Sequence, residues 1–547
     1  MLKILYNIKN SFRLKFLKLK KQTQLKINMQ DFQQNQDESH ELKQAIKFKQ
    51  ENHRIKIRRE KLNRQLNFTR LKFTNKNDPD FNHNQIEDIK SLSQNEQLVA
   101  QKLQQLQIHF NLREFDQCFQ VVKFFSQYTI FNSSEEILKE SIQILNETDF
   151  PLYLIAFISQ ETAVNYPQLF KTSLKIMQNI PYVWDQQFIS KLVEYRVLDN
   201  LIEILKNQQD EIVINNALFT LASFSCTDQN CVQSKLIELK AYSIFQPFQK
   251  FDAFRTNLIY LYECTFGNMV GLTVEDFSEE DQDSFKYIIH YLMSELKKSY
   301  NQDDEDITQQ VLWALSGMAK IEALIEFNEI SEYVLILDIL ENNHKELVII
   351  PALCIVNYLS YNSDRNIEEF VTFDYISVLK KYSDHSNYKA RIHTMYTFIN
   401  MAACSSQNIK DVLLEKNLVS KFMVMMQQDK PKIRNQCALF FAYLLDNSNE
   451  NFIRRAIQDY YFMNIAKQIF EQINDIDNIF SLLKTFEYIL DCVQSQDIMI
   501  FVLQQMQYYK INEYIEELTQ QHFEHVTDKA LLIHEKFEEL IQQYDIN

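Results

Sequence analysis

Glycine is almost missing from this 547-residue chain: only Gly267, Gly271 and Gly317 occur, against about 7% in an ordinary protein. Proline is scarce too, at seven residues. Sheets joined by tight hairpins need residues at positive φ, and doubly wound folds need glycine at their phosphate turns, so both are disfavoured. No stretch holds the glycines of a P-loop or a GxGxxG cradle, which excludes nucleotide chemistry of those types. No run of about 18 uncharged apolar residues occurs, so no transmembrane span is predicted. The eight cysteines, Cys118, Cys226, Cys231, Cys264, Cys354, Cys404, Cys437 and Cys492, form no CxxC pair and read as buried thiols in a reducing compartment. The eleven histidines make no HExxH and no ligand cluster with cysteine. No Ser, His and Asp arrangement stands out, so the expectation is a protein without catalytic residues, metal or cofactor.

What remains is Leu, Ile, Lys, Glu, Gln and Asn, the material of helices joined by short polar loops. The length exceeds one ordinary core, so the chain is either several domains or one repeat array. Charge is split. Residues 1–76 hold 20 Lys+Arg and 6 Asp+Glu, a balance of +14, and the remainder carries −30. A basic arm therefore precedes an acidic body, which suggests that the arm folds back on the body or that the two have different partners. The acidic body argues against nucleic acid as a ligand.

The first 28 residues contain eight basic and no acidic side chains. They read as an upstream extension with Met29 as the start, as a mitochondrial presequence, or as a basic membrane-surface helix. Residues 29–42 are polar, and a basic helical stretch follows at 47–73, then a polar linker. The expected organisation is a leader at 1–42, a basic helix at 43–76, a linker at 77–95 and about ten helical repeats at 96–547.

Internal repetition decides the architecture. Segments such as ALFTLASFS, LIYLYECTF, LWALSGMA, LCIVNYLS and MYTFINMA place a large residue inside a run of small and branched ones. Equivalent positions are Leu174, Phe219, Tyr260, Trp313, Cys354, Tyr396 and Leu439, in steps of 45, 41, 53, 41, 42 and 43 residues. A period near 42 fits HEAT or armadillo units and excludes ankyrin and TPR. The one long step holds the acidic run VEDFSEEDQDSF, with NQDDEDI just before Trp313. The runs at 275–283 and 303–306 are expected as solvated loops.

LWALSGMAKI at 312–321 and VIIPALCIVNYLSYNSD at 348–364, together with the register of the later repeats, resemble the importin-alpha family. KIRREKLNRQL at 56–66 is similar to that family's importin-beta-binding helix. The resemblance implies an all-α, armadillo-repeat, right-handed superhelical solenoid with a basic N-terminal helical arm. It implies a nuclear import adaptor moving between cytoplasm and nucleus. Importin-beta would bind Arg54, Lys56, Arg58, Arg59, Lys61 and Arg64; a recycling exportin would meet the last repeat; nucleic acid and membrane are not partners. Cargo proteins with basic localisation signals would lie in an atypical concave groove on Phe219, Ser223, Tyr260, Trp313, Tyr396 and Asn400. In the family, tryptophans form slots for lysine stems and asparagines four residues on clamp the peptide backbone. Here the pairs are Leu174/Gln178, Phe219/Ser223, Tyr260/Cys264, Trp313/Gly317, Cys354/Tyr358, Tyr396/Asn400 and Leu439/Tyr443, so only Asn400 keeps the clamp. The alternative from another class is an armadillo scaffold without a transport role. Register favours groove exposure of Phe219, Tyr260 and Trp313 over simple packing roles.

Overall fold

The computed structural model describes residues 96–546, apart from 130–140, 142, 183–185, 227–229, 270–275, 322–329, 344, 474 and 521–522. The leader, the basic helix and the linker expected within residues 1–95 lie outside the described residues.

Every regular element among the described residues is helical. The helices α1 (Glu96–Asn111), α2 (Phe115–Thr129), α3 (Phe150–Phe157), α4 (Gln160–Asn165) and α5 (Pro167–Met177) come first. Three-helix units follow: α6 (Gln186–Glu194), α7 (Val197–Asn207), α8 (Glu211–Ser225), then α9 (Asn230–Glu238), α10 (Ala241–Phe245), α11 (Arg255–Gly267). The next unit is altered, because one 23-residue helix, α12 (Glu279–Asn301), stands before α13 (Glu305–Lys320). The pair α14 (Ile330–Asn342) and α15 (Glu346–Asn362) comes next. Four full units complete the array: α16 (Asp364–Thr372), α17 (Tyr375–Tyr382), α18 (Tyr388–Ala403); α19 (Gln407–Glu415), α20 (Leu418–Gln428), α21 (Pro431–Leu444); α22 (Glu450–Asp459), α23 (Phe462–Gln472), α24 (Ile476–Cys492); and α25 (Gln496–Tyr508), α26 (Ile511–Leu518), α27 (Glu524–Gln543).

Local chemistry sets the boundaries. Four of the described third helices open on a short acidic or amide residue whose side chain takes an orphan N–H: Asp210 accepts from Ile212 and Val213, Asp304 from Ile307, Asn387 from Lys389 and Asp475 from Asn478. The acidic run at 303–306 is therefore a helix start and not a free loop. Glu305 and Asp306 occupy the first turn of α13, where the helix dipole favours negative charge. The run at 275–283 is corrected in the same way: Ser278 caps α12, Glu279, Glu280 and Asp281 form its first turn, and Asp281 is buried.

The corner between first and second helices needs a left-handed residue, and this glycine-poor chain fills it with other types. Arg196, Lys240, Asp374, Asn417, Tyr461 and Lys510 have φ of 66°, 50°, 55°, 56°, 56° and 61° and directly precede α7, α10, α17, α20, α23 and α26. A bulky L-residue in this region costs about 1–2 kcal/mol. Tyr461 is 60% exposed, so its ring offers little packing in return. Tyr461→Gly is accordingly expected to raise stability by about 1 kcal/mol in urea titration, less whatever the unfolded chain gains in freedom. A loss of stability would show that the tyrosine ring holds the corner.

Consecutive third helices pack side by side, α8 on α11, α11 on α13, α13 on α15, α15 on α18, α18 on α21, α21 on α24 and α24 on α27. Asparagines stitch the seams at their carboxyl ends, where carbonyls lack helical partners. Asn179 Nδ2 donates to Thr129 O at 2.5 Å, Asn268 Nδ2 to Ser225 O at 2.8 Å and Asn362 Nδ2 to Ala319 O at 2.6 Å. Ion pairs also join neighbouring units, including Lys171–Asp210 at 2.7 Å, Arg391–Asp429 at 2.9 Å and Lys529–Glu487 at 3.0 Å. The hydrogen bond from Lys171 holds the Asp210 carboxyl below its ordinary range, which keeps this cap charged.

Candidate functional site

The wall of third helices is the surface on which the sequence places a binding ladder. All seven first positions fall on it: Leu174 on α5, Phe219 on α8, Tyr260 on α11, Trp313 on α13, Cys354 on α15, Tyr396 on α18 and Leu439 on α21. The spacing therefore found the right helices.

Their exposure differs from the expectation. Phe219, Tyr260, Trp313 and Tyr396 are 9%, 3%, 2% and 3% exposed, and they are not open slots. The Phe219 ring stacks on the Tyr260 ring of the next unit, with centroids 5.7 Å apart and planes at 25°. His393 meets Tyr396 edge-on at 6.2 Å. Trp313 stands one turn before Gly317, where α13 closes onto α11: a Cβ built at Gly317 would lie 2.7 Å from the Phe266 carbonyl carbon. Ser223 is buried, and its hydroxyl donates to the Phe219 carbonyl of its own helix at 3.0 Å.

The amide clamp is likewise used within the wall. Asn400 Nδ2 donates to Asn357 O at 3.2 Å, Asn357 Oδ1 at 3.3 Å and Ser360 Oγ at 3.0 Å, all on α15. Asn257 Nδ2 reaches Asn215 O and Oδ1 at 3.3 and 2.9 Å, Asn478 Nδ2 reaches Asn435 O at 2.9 Å, and Gln178 Nε2 reaches Asn216 O and Oδ1 at 3.2 Å each. An amide reaching the backbone of the neighbouring unit is thus a recurring device, and Asn400 is one instance of it. Its signal in the sequence is the recurrence of asparagine at 42 or 43 residues in the pairs 215/257, 357/400 and 435/478.

Charge on the wall also departs from the whole-chain balance. The helices α18 and α21 carry Lys389, Arg391, Lys432 and Arg434 and no acidic residue. From α8 through α21, the only carboxylate on a third helix beyond its first turn is Glu263 of α11, which is buried. Over the stretch from α8 to α21 the acidic excess of the body therefore sits off the wall beyond the first turns of its helices. A single buried carboxylate cannot neutralise a run of lysines along several units. The wall can instead offer packed aromatic and aliphatic surface with amide and hydroxyl groups between.

Cys226 and Cys264, expected as separate buried thiols, are joined as a disulfide with Cα atoms 4.8 Å apart. No CxxC spacing announces this pair, because its members belong to neighbouring units and meet only when α8 packs on α11.

No family model matches the chain, and no curated protein matches it. Solved structures do. An engineered protein superposes with a TM-score of 0.59 at 11% identity, over 77% of this chain and 95% of its own. A designed armadillo repeat protein, solved in complex with a (KR)4 peptide, matches at 15% identity and a TM-score of 0.37, over 46% of this chain and 99% of its own. The first likeness bears on fold alone, and the three-helix order and period near 42 agree with it: the described residues form an all-α solenoid of armadillo-type repeats.

Proposed function

We propose that the protein is a polypeptide-binding adaptor of the importin-alpha type whose cargo is not a lysine-rich localisation signal. It acts by binding and not by catalysis. Importin-beta binds the basic segment through Arg54, Lys56, Arg58, Arg59, Lys61 and Arg64, a cargo segment lies along the third helices, and an exportin meets the last unit on the return from nucleus to cytoplasm. Neither nucleic acid nor membrane takes part. The observation that carries the cargo statement is the near-absence of carboxylates beyond the first turns of the third helices from α8 to α21. A cargo held there makes apolar, aromatic and amide contacts.

The test uses the full-length chain. Arg58→Ala combined with Arg59→Ala removes two charge-assisted contacts and is expected to weaken importin-beta binding by a factor of about 100 or more in calorimetric titration. Unchanged affinity would sink the adaptor reading. A lysine-rich localisation peptide is expected to bind no better than about 10 µM, some four orders of magnitude short of a nanomolar site. Nanomolar binding would refute the cargo class while leaving the adaptor role intact.

The second reading is an armadillo scaffold outside transport. It is favoured by the amides of the wall being spent between units, as at Asn257, Asn400 and Asn478. It predicts no importin-beta binding by the unsubstituted chain.

A further inference from the structure

The Cys226–Cys264 disulfide lies at a place where its state bears on the wall. Cys226 caps the carboxyl end of α8, and Cys264 sits within α11, four residues after Tyr260. The Cα separation of 4.8 Å is within the range that a disulfide spans without moving the backbone. The Tyr260 hydroxyl is 3.5 Å from Cys226 Sγ, and the Tyr260 ring is the one stacked on Phe219.

We propose that Cys226 and Cys264 form a reversible redox staple across the α8–α11 seam. A peroxide makes it. One thiolate attacks a peroxide oxygen and becomes a sulfenic acid as water leaves; the second sulfur attacks that sulfenic sulfur, forms the S–S bond and expels a second water. Two thiol protons and two electrons pass to the peroxide oxygens. A dithiol reverses the step by exchange, and is itself left as a disulfide. With the bond formed, the end of α8 cannot separate from α11, so the segment of wall bearing Phe219 and Tyr260 opens less often. With the bond reduced, the same helices are held by packing and by the Asn257 and Asn268 hydrogen bonds.

The full-length chain would be equilibrated with hydrogen peroxide or with dithiothreitol, then alkylated in denaturant and mapped by mass spectrometry. Hydrogen exchange would be measured on the same samples. A cross-linked peptide containing Cys226 and Cys264 is expected after peroxide, and two alkylated peptides after dithiothreitol. Amides of α8 and α11 should exchange about tenfold or more slowly in the cross-linked chain, because local opening is suppressed. That difference should vanish in Cys226→Ala/Cys264→Ala. Two alkylated cysteines after peroxide, cross-links to other partners, equal exchange in both states, or a difference surviving in the double variant would each overturn the proposal. The peptide map is made on the unsubstituted chain, so it stands even where the variant folds poorly.

Discussion

Gly317→Ala is expected to destabilise the array by about 2–3 kcal/mol, although alanine in a helix ordinarily gains about 1 kcal/mol over glycine. The added Cβ would stand 2.7 Å from Phe266 C, 2.8 Å from Phe266 O and 2.9 Å from Gly267 N. All three are backbone atoms, so no rotamer change relieves the contact. The helices α11 and α13 would have to move apart, and with them the packing around Trp313. Urea unfolding followed by circular dichroism and tryptophan fluorescence would check this. An unchanged or raised midpoint would mean that the seam yields easily and that the close approach is not a constraint.

The second large effect is alkaline. Burial pushes the Tyr242, Tyr262, Tyr375 and Tyr396 hydroxyls well above the ordinary tyrosine value, and raises Tyr382 and Tyr443 to about 12. A raised folded value means that the unfolded chain gives up these protons first, near pH 10, while the folded chain keeps them. Stability is then fully present below pH 10 and falls as pH rises through 10 to 12 and beyond. The melting midpoint should be insensitive to these groups up to about pH 9 and drop steeply above 10. Phenolate absorbance should rise in two stages. The buried set ionises in the later stage, together with loss of helix. A single smooth titration with helical content intact at pH 12 would contradict the buried assignment.

The sequence carried the repeat and much less of the wall. A large residue recurring near every 42 positions is a consequence of one side chain per unit meeting the next unit, so Leu174 through Leu439 all fall on third helices. Periodicity, however, says which helix a residue is on and not how closely the neighbour approaches. Trp313 reads as a groove residue by register, and the absent Cβ at Gly317 is what brings α11 close beside it. Asn400 reads as a ligand clamp because asparagine is suited to that task, yet its donor is equally suited to Asn357 one unit earlier. The acidic run at 275–283 looks like a loop by composition, but Ser278 followed by Glu279, Glu280 and Asp281 is also a helix start, and α12 begins there. The six left-handed corners escaped notice for a related reason: Arg196, Lys240 and Tyr461 carry none of the glycine that usually marks such a position. The link between Cys226 and Cys264 could follow only from knowing which helices touch.

The asparagine bonds across the seams have a mechanical consequence. Those named above join residues 38 to 50 positions apart, so each of these bonds ties a unit to its immediate neighbour. Tension applied to the two ends of such a chain loads the seams in series. The weakest gives way first while the others stay shut, and one unit of about 42 residues then pays out roughly 15 nm of extended backbone. The array is in this sense a stack of springs in line, able to lengthen in steps and to close again one neighbour at a time.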